Sequence, residues 1–224
     1  MTCVVSEVPG KVQSILPCPP DLVADQISLL ASAFPVAAAK TGMLFSIPHI
    51  EAAAAALSPV AAPLVVDPVM VATSGDPLLE DGAASAYERL IFPMAAVITP
   101  NLDEAAHLLG YPIRAERELA DAAKALRDRY GCAVLLKGGH LRGEQAVDVL
   151  ADAAGEAEFR AAFVPGVSTH GTGCTYSAAI AAHLAKGESL REAVAGAKRY
   201  VTAAVAGFHR WGEVDALDHF ALVE

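Results

Sequence analysis

Residues 63–67 read P-L-V-V-D, a short apolar run that ends in a carboxylate. Three consecutive apolar residues, two of them β-branched, are typical of a strand that is buried on both faces. Segments with helical spacing lie on either side of this run, at Pro48–Leu57 and Pro77–Leu90. A buried strand between two helices predicts a parallel sheet with helices packed on it.

The same alternation of strand and helix continues along most of the chain. Apolar runs predict strands at Thr2–Val8, Val36–Lys40, Pro63–Asp67, Ala95–Thr99 and Cys132–Lys137. Helical spacing predicts helices at Pro20–Phe34, Pro48–Leu57, Pro77–Leu90, Leu102–Leu109 and Glu116–Tyr130. Later segments predict two antiparallel edge strands and two helices, at Gln145–Leu150, Ala157–Val164, Cys174–Lys186 and Leu190–Phe208. The prediction is one α/β domain over residues 1–224, with a mostly parallel central sheet.

The composition argues against several classes of protein. A formal net charge of −10 disfavours a broad nucleic-acid surface, which needs clustered basic residues. No apolar run approaches the ~20 residues of a membrane span, and the N-terminus lacks the features of a secretory signal. The four cysteines, Cys3, Cys18, Cys132 and Cys174, lack the spacing of a zinc site. We therefore expect a cytoplasmic protein with no nucleic-acid or membrane partner.

Polar or glycine residues follow four of the predicted strands. These strand ends read Lys40-Thr41-Gly42, Asp67-Pro68, Thr99-Pro100-Asn101 and Lys137-Gly138-Gly139. In open α/β sheets, ligands bind at the carboxyl ends of the strands. We therefore expect a binding site at this edge of the sheet.

Side chains at these strand ends allow two interpretations. Asn101 and Glu104 have the spacing of a helix cap in which the third residue reaches back. Together with Asp67 they could instead supply oxygens for Mg²⁺, usually through water. Lys137, followed by two glycines, is expected to approach a phosphate. Lys40 is equally compatible with a surface position.

The loop His170-Gly171-Thr172-Gly173 leads into the helix predicted to begin near Cys174. One interpretation is a tight turn in which Thr172 caps the helix. The other is an anion hole, in which N–H groups of Gly171 to Cys174 hold a transferring phosphoryl group. Free cysteine is usually a small buried hydrophobe. A helix N-terminus lowers a thiol pKa, however, which would make Cys174 a base or nucleophile near neutral pH. A cysteine hydrolase using His170 is a weaker alternative.

Four segments together resemble a known family. They read V-V-D-P-V-M-V-A-T-S-G-D-P-L-L, T-P-N-L-D-E-A-A-H-L-L-G, L-L-K-G-G-H and S-T-H-G-T-G-C-T-Y-S-A-A-I-A-A-H-L-A-K-G. Their residues and order resemble the hydroxymethylpyrimidine/phosphomethylpyrimidine kinases of thiamine biosynthesis, in the ribokinase-like superfamily. The resemblance runs from about Thr2 to the C-terminus.

The resemblance implies a three-layer α/β/α sandwich and an ATP- and Mg²⁺-dependent transferase. Its substrates would be 4-amino-5-hydroxymethyl-2-methylpyrimidine and its monophosphate, and the protein would be a homodimer. Cys174 occupies the position of the family's proton acceptor, beside the anion hole of Gly171, Thr172 and Gly173. The resemblance places Asp67, Asn101, Glu104 and Lys137 at the nucleotide, Asn101 and Glu104 near magnesium, and Met43 and Val69 in the pyrimidine pocket.

Two features depart from the family pattern. The family begins with a strand and a glycine-rich loop, and this chain starts at the segment expected after them. Glu7 aligns with a substrate-binding glutamine, and an ionised carboxylate only accepts hydrogen bonds. The substrate could therefore be pyridoxal or a related ring-hydroxymethyl compound. A further alternative is a shortened, non-catalytic protein that binds a pyrimidine or nucleotide.

Overall fold

The computed structural model describes residues 1–70, 78–80, 82–139, 141, 145–167 and 170–221. Its strands are β1 (Cys3–Val8), β2 (Lys11–Pro17), β3 (Ala39–Thr41), β4 (Leu64–Val66), β5 (Val97–Ile98), β6 (Ala133–Lys137), β7 (Gln145–Asp152), β8 (Gly155–Ala162), β9 (His209–Trp211) and β10 (Val214–Ala216). Its α-helices are α1 (Pro20–Ala33), α2 (Ile47–Leu57), α3 (Ala83–Leu90), α4 (Leu102–Leu109), α5 (Leu119–Tyr130), α6 (Thr172–Ala185) and α7 (Leu190–Ala206). Short 3₁₀ helices occupy Phe92–Met94 and Glu116–Glu118.

A six-stranded sheet in the order β3-β4-β5-β6-β7-β8 forms the middle layer. Strands β3 to β6 are parallel, and β7 and β8 continue the sheet as an antiparallel edge. Alternate strand residues face opposite layers. In β4, for example, Val66 packs in the larger core with α2 to α5, and Val65 packs against α6 and α7. The predicted three-layer α/β/α sandwich with a mostly parallel sheet is confirmed.

The strand predicted at Thr2–Val8 lies outside the central sheet, in which it was expected. Cys3–Val8 forms an antiparallel hairpin with β2, a strand that the sequence analysis did not predict, and this hairpin is separate from the central sheet. Gly10 has φ of +83°, a conformation that favours glycine, and it allows the chain to reverse there. Strand spacing alone does not identify the partner strand, because pairing depends on the turn that follows.

Several predicted boundaries also differ. The helix expected at Pro77–Leu90 begins at Ala83, because Leu79 bridges to Phe45 and Gly82 has a left-handed conformation. Pro77 itself lies outside the described residues. The strand expected at Val36–Lys40 is observed at Ala39–Thr41. The hairpin β9–β10 was not predicted.

None of the helices in the described ranges is both long and apolar enough to cross a bilayer. The expected absence of a membrane or nucleic-acid partner stays a prediction. The cytoplasmic location also stays a prediction.

Candidate active site

A cavity of about 410 Å³ opens where the parallel strands end and α6 begins. Its lining includes every site residue that the sequence predicted: Glu7, Met43, Asp67, Val69, Asn101, Glu104, Lys137, Gly171, Thr172, Gly173 and Cys174. These residues come from separate strands, helices and loops, which the parallel topology brings to one edge. His140, Ser168 and Thr169, which belong to the quoted segments, lie outside the described residues, as do residues 71–77.

The ends of β4 and β6 are joined by a buried ion pair. Lys137 Nζ lies 3.1 Å from Asp67 Oδ1. The other Asp67 oxygen accepts a hydrogen bond from Ser177 Oγ at 3.1 Å, which ties α6 to the strand end. A Cβ on Gly173 would lie only 3.1 Å from Lys137 Nζ, so this glycine gives the ammonium room beside the start of α6. The pair therefore holds a cation next to the helix N-terminus.

Helix α6 begins earlier than predicted and with a different cap. Gly171 is the N-cap, with φ of +80°, and Thr172, Gly173 and Cys174 form the first turn. The expected Thr172 cap is wrong, because Gly171 adopts the left-handed conformation at that position. The N–H groups of Gly173 and Cys174 donate to no group in the described part of the chain. Both residues line the cavity at the positive end of the helix.

The thiol of Cys174 has a different acidity from the one expected. The helix N-terminus predicted a lowered pKa, but partial desolvation by the surrounding cavity wall raises the pKa of Cys174, although the residue is exposed at the cavity mouth. Among the nearby charges, Lys40 and Lys137 lower it, and Asp67 and Glu104 raise it. The expectation failed because partial removal of water, which disfavours the thiolate, outweighs the favourable charges.

Asn101 and Glu104 form the predicted capping box at the start of α4. Glu104 N donates to Asn101 Oδ1 at 2.9 Å, and Asn101 N donates to Glu104 Oε2 at 2.8 Å. Glu104 Oε1 also accepts from Met70 N at 3.3 Å, which connects the helix to the segment after β4. Burial is the largest cause of a raised pKa at Glu104. The interpretation of Asn101 and Glu104 as a helix cap is confirmed. Both residues also line the cavity.

One wall of the cavity joins the N-terminal hairpin to β3 and β4. Thr2 Oγ1 donates to the Met43 carbonyl at 2.8 Å, and the exposed Glu7 of β1 faces the cavity from the hairpin. Val69 has φ of +41°, a strained conformation for a β-branched residue. Such strain concentrates at functional sites. Met43, Val69 and Glu7 all line the cavity, and their predicted place at the substrate stays a prediction.

A second buried ion pair in the cavity wall was not predicted from the sequence. Lys198 Nζ of α7 lies 2.7 Å from Asp148 Oδ2 of β7. Asp148 Oδ1 accepts from Gly138 N at 3.0 Å and so fixes the turn that follows Lys137. A Cβ on Gly138 would clash with the Val147 carbonyl, so Gly138 serves packing as well as the turn. The sequence feature that could have indicated this ion pair is the carboxylate of Asp148, which lies within the apolar run of β7.

The donors at this site fit a magnesium ion that is bound mainly by nucleotide phosphates and water. No group of three metal-ligating side chains occurs in the described ranges. The carboxylate oxygens of Asp67 and Glu104 already accept hydrogen bonds from protein groups. Each carboxylate can accept more than these, so lone pairs remain for water bound to the ion. Magnesium usually keeps several waters and binds through few carboxylates. The described residues alone do not form a complete set of direct ligands for the ion.

The chain is similar in sequence and in fold to known kinases. Residues 1–216 match the family described as phosphomethylpyrimidine kinase. The chain belongs to the phosphomethylpyrimidine kinase family. A hydroxymethylpyrimidine/phosphomethylpyrimidine kinase of Streptomyces coelicolor is 41% identical over 220 residues, which cover 98% of this chain and 81% of that protein.

Two further relatives show the range of this similarity. The thiamine biosynthesis bifunctional protein of Geobacter sulfurreducens is 44% identical over 206 residues. This match covers 92% of the chain but only 42% of the Geobacter protein. The structure of an ADP complex of Bacillus subtilis pyridoxal kinase has a TM-score of 0.89 and 34% identity, covering 99% of this chain and 85% of that one. The ribokinase-like fold is thus shared with kinases named for two different substrates.

Proposed function

We propose that this protein phosphorylates 4-amino-5-hydroxymethyl-2-methylpyrimidine, its monophosphate, or both, with Mg-ATP as phosphoryl donor. The names of its relatives support a role in thiamine biosynthesis. The observation that carries the proposal is the start of α6, where Gly173 and Cys174 line the cavity together with Lys137 and their N–H groups donate to no group that the structure describes. Such a group of donors suits a phosphoryl group in transfer. We propose the whole of residues 1–224 as one such kinase domain.

In the proposed reaction, the substrate hydroxyl oxygen attacks the γ-phosphorus of ATP in line. A bond forms between that oxygen and phosphorus, and the bond from phosphorus to the bridging oxygen of ADP breaks. The Cys174 sulfur, as thiolate, receives the hydroxyl proton. The Gly173 and Cys174 N–H groups and the Lys137 ammonium stabilise charge on the phosphoryl oxygens. Positioning and electrostatics account for most of the catalysis in such transfers.

Magnesium would neutralise the nucleotide phosphates when bound. Asn101 and Glu104 would hold it through water, with Asp67 close behind them. Asp67 has a second role, because it orients Lys137 and anchors α6 through Ser177. The wall formed by Met43 and Val69 would hold the pyrimidine ring.

Cys174→Ala tests the proposal. We expect turnover to fall about 10²- to 10⁴-fold, the usual contribution of a proton acceptor, with little change in ATP affinity. The measurement is ADP release under saturating Mg-ATP, with calorimetry for nucleotide binding. Cys132→Ala is the matched control, because that half-buried thiol does not line the cavity. Unchanged turnover in Cys174→Ala would remove the thiol from the mechanism, and ligand binding without any ADP release by the parent chain would favour a binding protein.

Pyridoxal is a second candidate substrate. It is supported by the similarity to the Bacillus subtilis pyridoxal kinase and by the carboxylate of Glu7 at the cavity. The ADP-release assay with hydroxymethylpyrimidine, its phosphate and pyridoxal in parallel separates the candidates. Glu7→Gln should improve kcat/KM for the pyrimidine relative to pyridoxal, because an amide can donate as well as accept. An unchanged ratio would exclude Glu7 from substrate selection.

A homodimer is the oligomeric state that we propose. The hairpin and α1 expose large apolar side chains, namely Val4, Val8, Leu16, Leu22, Leu29, Leu30 and Phe34. A concentration of exposed apolar residues marks an interaction surface. Sedimentation should show a dimer that Leu29→Glu converts to monomer, whereas a monomeric parent chain would refute this state.

A further inference from the structure

Lys40 places a second cation in the cavity. In β3 it is in register with Val65 of β4, so its side chain leaves the sheet on the face covered by α6 and α7. Lys40 Nζ lies 3.0 Å from the position that a Cβ on Gly42 would occupy. Gly42 therefore leaves space for the ammonium to fold over the strand end. The Tyr87 hydroxyl fixes this turn by donating to the Gly42 carbonyl at 2.9 Å.

The two lysines of the cavity differ in their partners. Lys137 lies 3.1 Å from Asp67, and this carboxylate largely neutralises its charge. Lys40 makes no hydrogen bond or ion pair with any group that the structure describes. A cation that is not bound to a carboxylate in a partly enclosed cavity exerts a strong field on nearby groups. Among the described residues of this cavity, Lys40 therefore supplies a positive charge that no ion pair offsets.

Several charged groups in the lining of the same cavity influence the Cys174 sulfur electrostatically. They are Lys40 of β3, Asp67 after β4, Lys137 of β6 and Glu104 of α4. Partial desolvation, the largest influence, raises the pKa of the thiol, and the charge of Lys40 is the main influence that lowers it. Because Lys137 and Asp67 form an ion pair with each other, their opposite effects on the pKa of the thiol partly cancel.

We propose that Lys40 is a positioning residue that acts through Cys174: its ammonium, which pairs with no group in the described part of the chain, shares the cavity with the sulfur from the sheet face under α6 and stabilises its thiolate. This inference rests on the proposed function for its catalytic meaning, because the thiolate matters to turnover only if Cys174 accepts the substrate proton. In that step the sulfur gains the proton and becomes neutral, and the charge is carried off by the phosphate ester and ADP. Lys40 needs no contact with the pyrimidine to have this effect.

The test measures how fast iodoacetamide alkylates Cys174 in the full chain, without nucleotide, between about pH 6 and about pH 10. Peptide mass spectrometry identifies the modified cysteine. In Lys40→Met the midpoint should move to higher pH, and alkylation near neutral pH should slow by about three- to tenfold, since one pH unit in the midpoint corresponds to tenfold. Lys40→Arg keeps the charge and should stay within about twofold of the parent chain. Lys124→Met, on the exposed side of α5, is the control for loss of any lysine.

An unchanged midpoint in Lys40→Met overturns the proposal. Equal slowing in Lys40→Met and Lys40→Arg also overturns it, because the effect would then come from packing and not from charge. Lys40→Gln removes the same charge and replaces Lys40→Met if that variant does not fold. Circular dichroism establishes that each variant is folded before its thiol is measured.

Steady-state kinetics on the same variants separate this proposal from the proposed function. If the proposed function and the role of Lys40 are both correct, Lys40→Met lowers kcat and leaves KM for ATP nearly unchanged. It also moves the acidic limb of the pH profile of kcat to higher pH. If Cys174→Ala keeps full turnover, the catalytic role of the thiol fails. The alkylation data still decide whether Lys40 controls that thiol.

Discussion

Two helices of this protein begin with the same capping box in contrasting surroundings. In α4 the box joins Asn101 and Glu104, and in α7 it joins Ser189 and Glu192. In both, the first residue accepts from the backbone of the third, and the third carboxylate accepts from the backbone of the first. Glu104 is only 5% exposed and lines the cavity, whereas Glu192 lies exposed on the surface.

The surroundings shift the pKa values of the two glutamate carboxylates in opposite directions. Burial is the main influence that raises the pKa of Glu104. Hydrogen bonds from Ser189 lower the pKa of Glu192. The same local hydrogen bonds therefore begin a helix in both places, but only in α4 do they also hold a carboxylate at the strand ends. A capping box identifies a helix start, and its tertiary position determines whether it can serve a ligand.

The largest expected difference between the boxes is in catalysis. Glu104→Gln should lower turnover by about 10- to 100-fold, because it removes the charge proposed to hold magnesium through water. Glu192→Gln should leave turnover unchanged. ADP release at several Mg²⁺ concentrations measures both variants, and a rise in the Mg²⁺ requirement is expected for Glu104→Gln alone. Equal turnover in the two variants would remove Glu104 from the nucleotide site.

Replacing the first residue of each box should show a smaller, shared effect on stability. Asn101→Ala and Ser189→Ala should each lower the free energy of unfolding by about 1 kcal/mol, because each loses a helix cap. Urea unfolding measures this loss. Only Asn101→Ala should also reduce ADP release, since Asn101 lines the cavity. If Ser189→Ala reduced turnover equally, the loss would follow from stability and the contrast between the boxes would fail.

The smallest expected effect is the pH dependence of the exposed box. The folded-state pKa of Glu192 is lowered, so its stabilising effect is present above the unfolded-state pKa and is lost as pH falls through the folded-state value. The stability gap between the parent chain and Ser189→Ala should therefore be full near pH 7 and shrink below about pH 4. Urea unfolding across this range measures the gap. A gap that is constant with pH would mean that the Glu192 charge adds nothing to the cap.

Much of the fold could be predicted because its signals are local. Buried strands such as β4 and β6 are short apolar runs, and α4 and α5 show helical spacing. Polar strand ends indicated which edge of the sheet would carry a site. The segment around Cys174 identified the turn that faces the cavity, although the cap proved to be Gly171 and not Thr172.

Other features depend on groups that are distant in sequence. Thr2–Val8 could be recognised as a strand, but its pairing with β2 outside the central sheet could not. The shift in the pKa of Cys174 was predicted with the wrong sign, because the groups that partly desolvate this exposed thiol and the charges around it belong to other segments of the chain. The role of Asp148 depends on Lys198, which lies 50 residues further along the chain.

The sequence by itself determined the α/β class, the edge of the sheet that carries the site and the residue types available there, because hydrophobic periodicity and strand-end chemistry are local properties. Only the tertiary structure decided how the charges are distributed among those residues. Asp67 pairs with Lys137 and leaves Lys40 without a partner in the described chain. The physical reason is that desolvation and Coulomb interactions depend on distances in space, and these are set when separate strands and helices pack together.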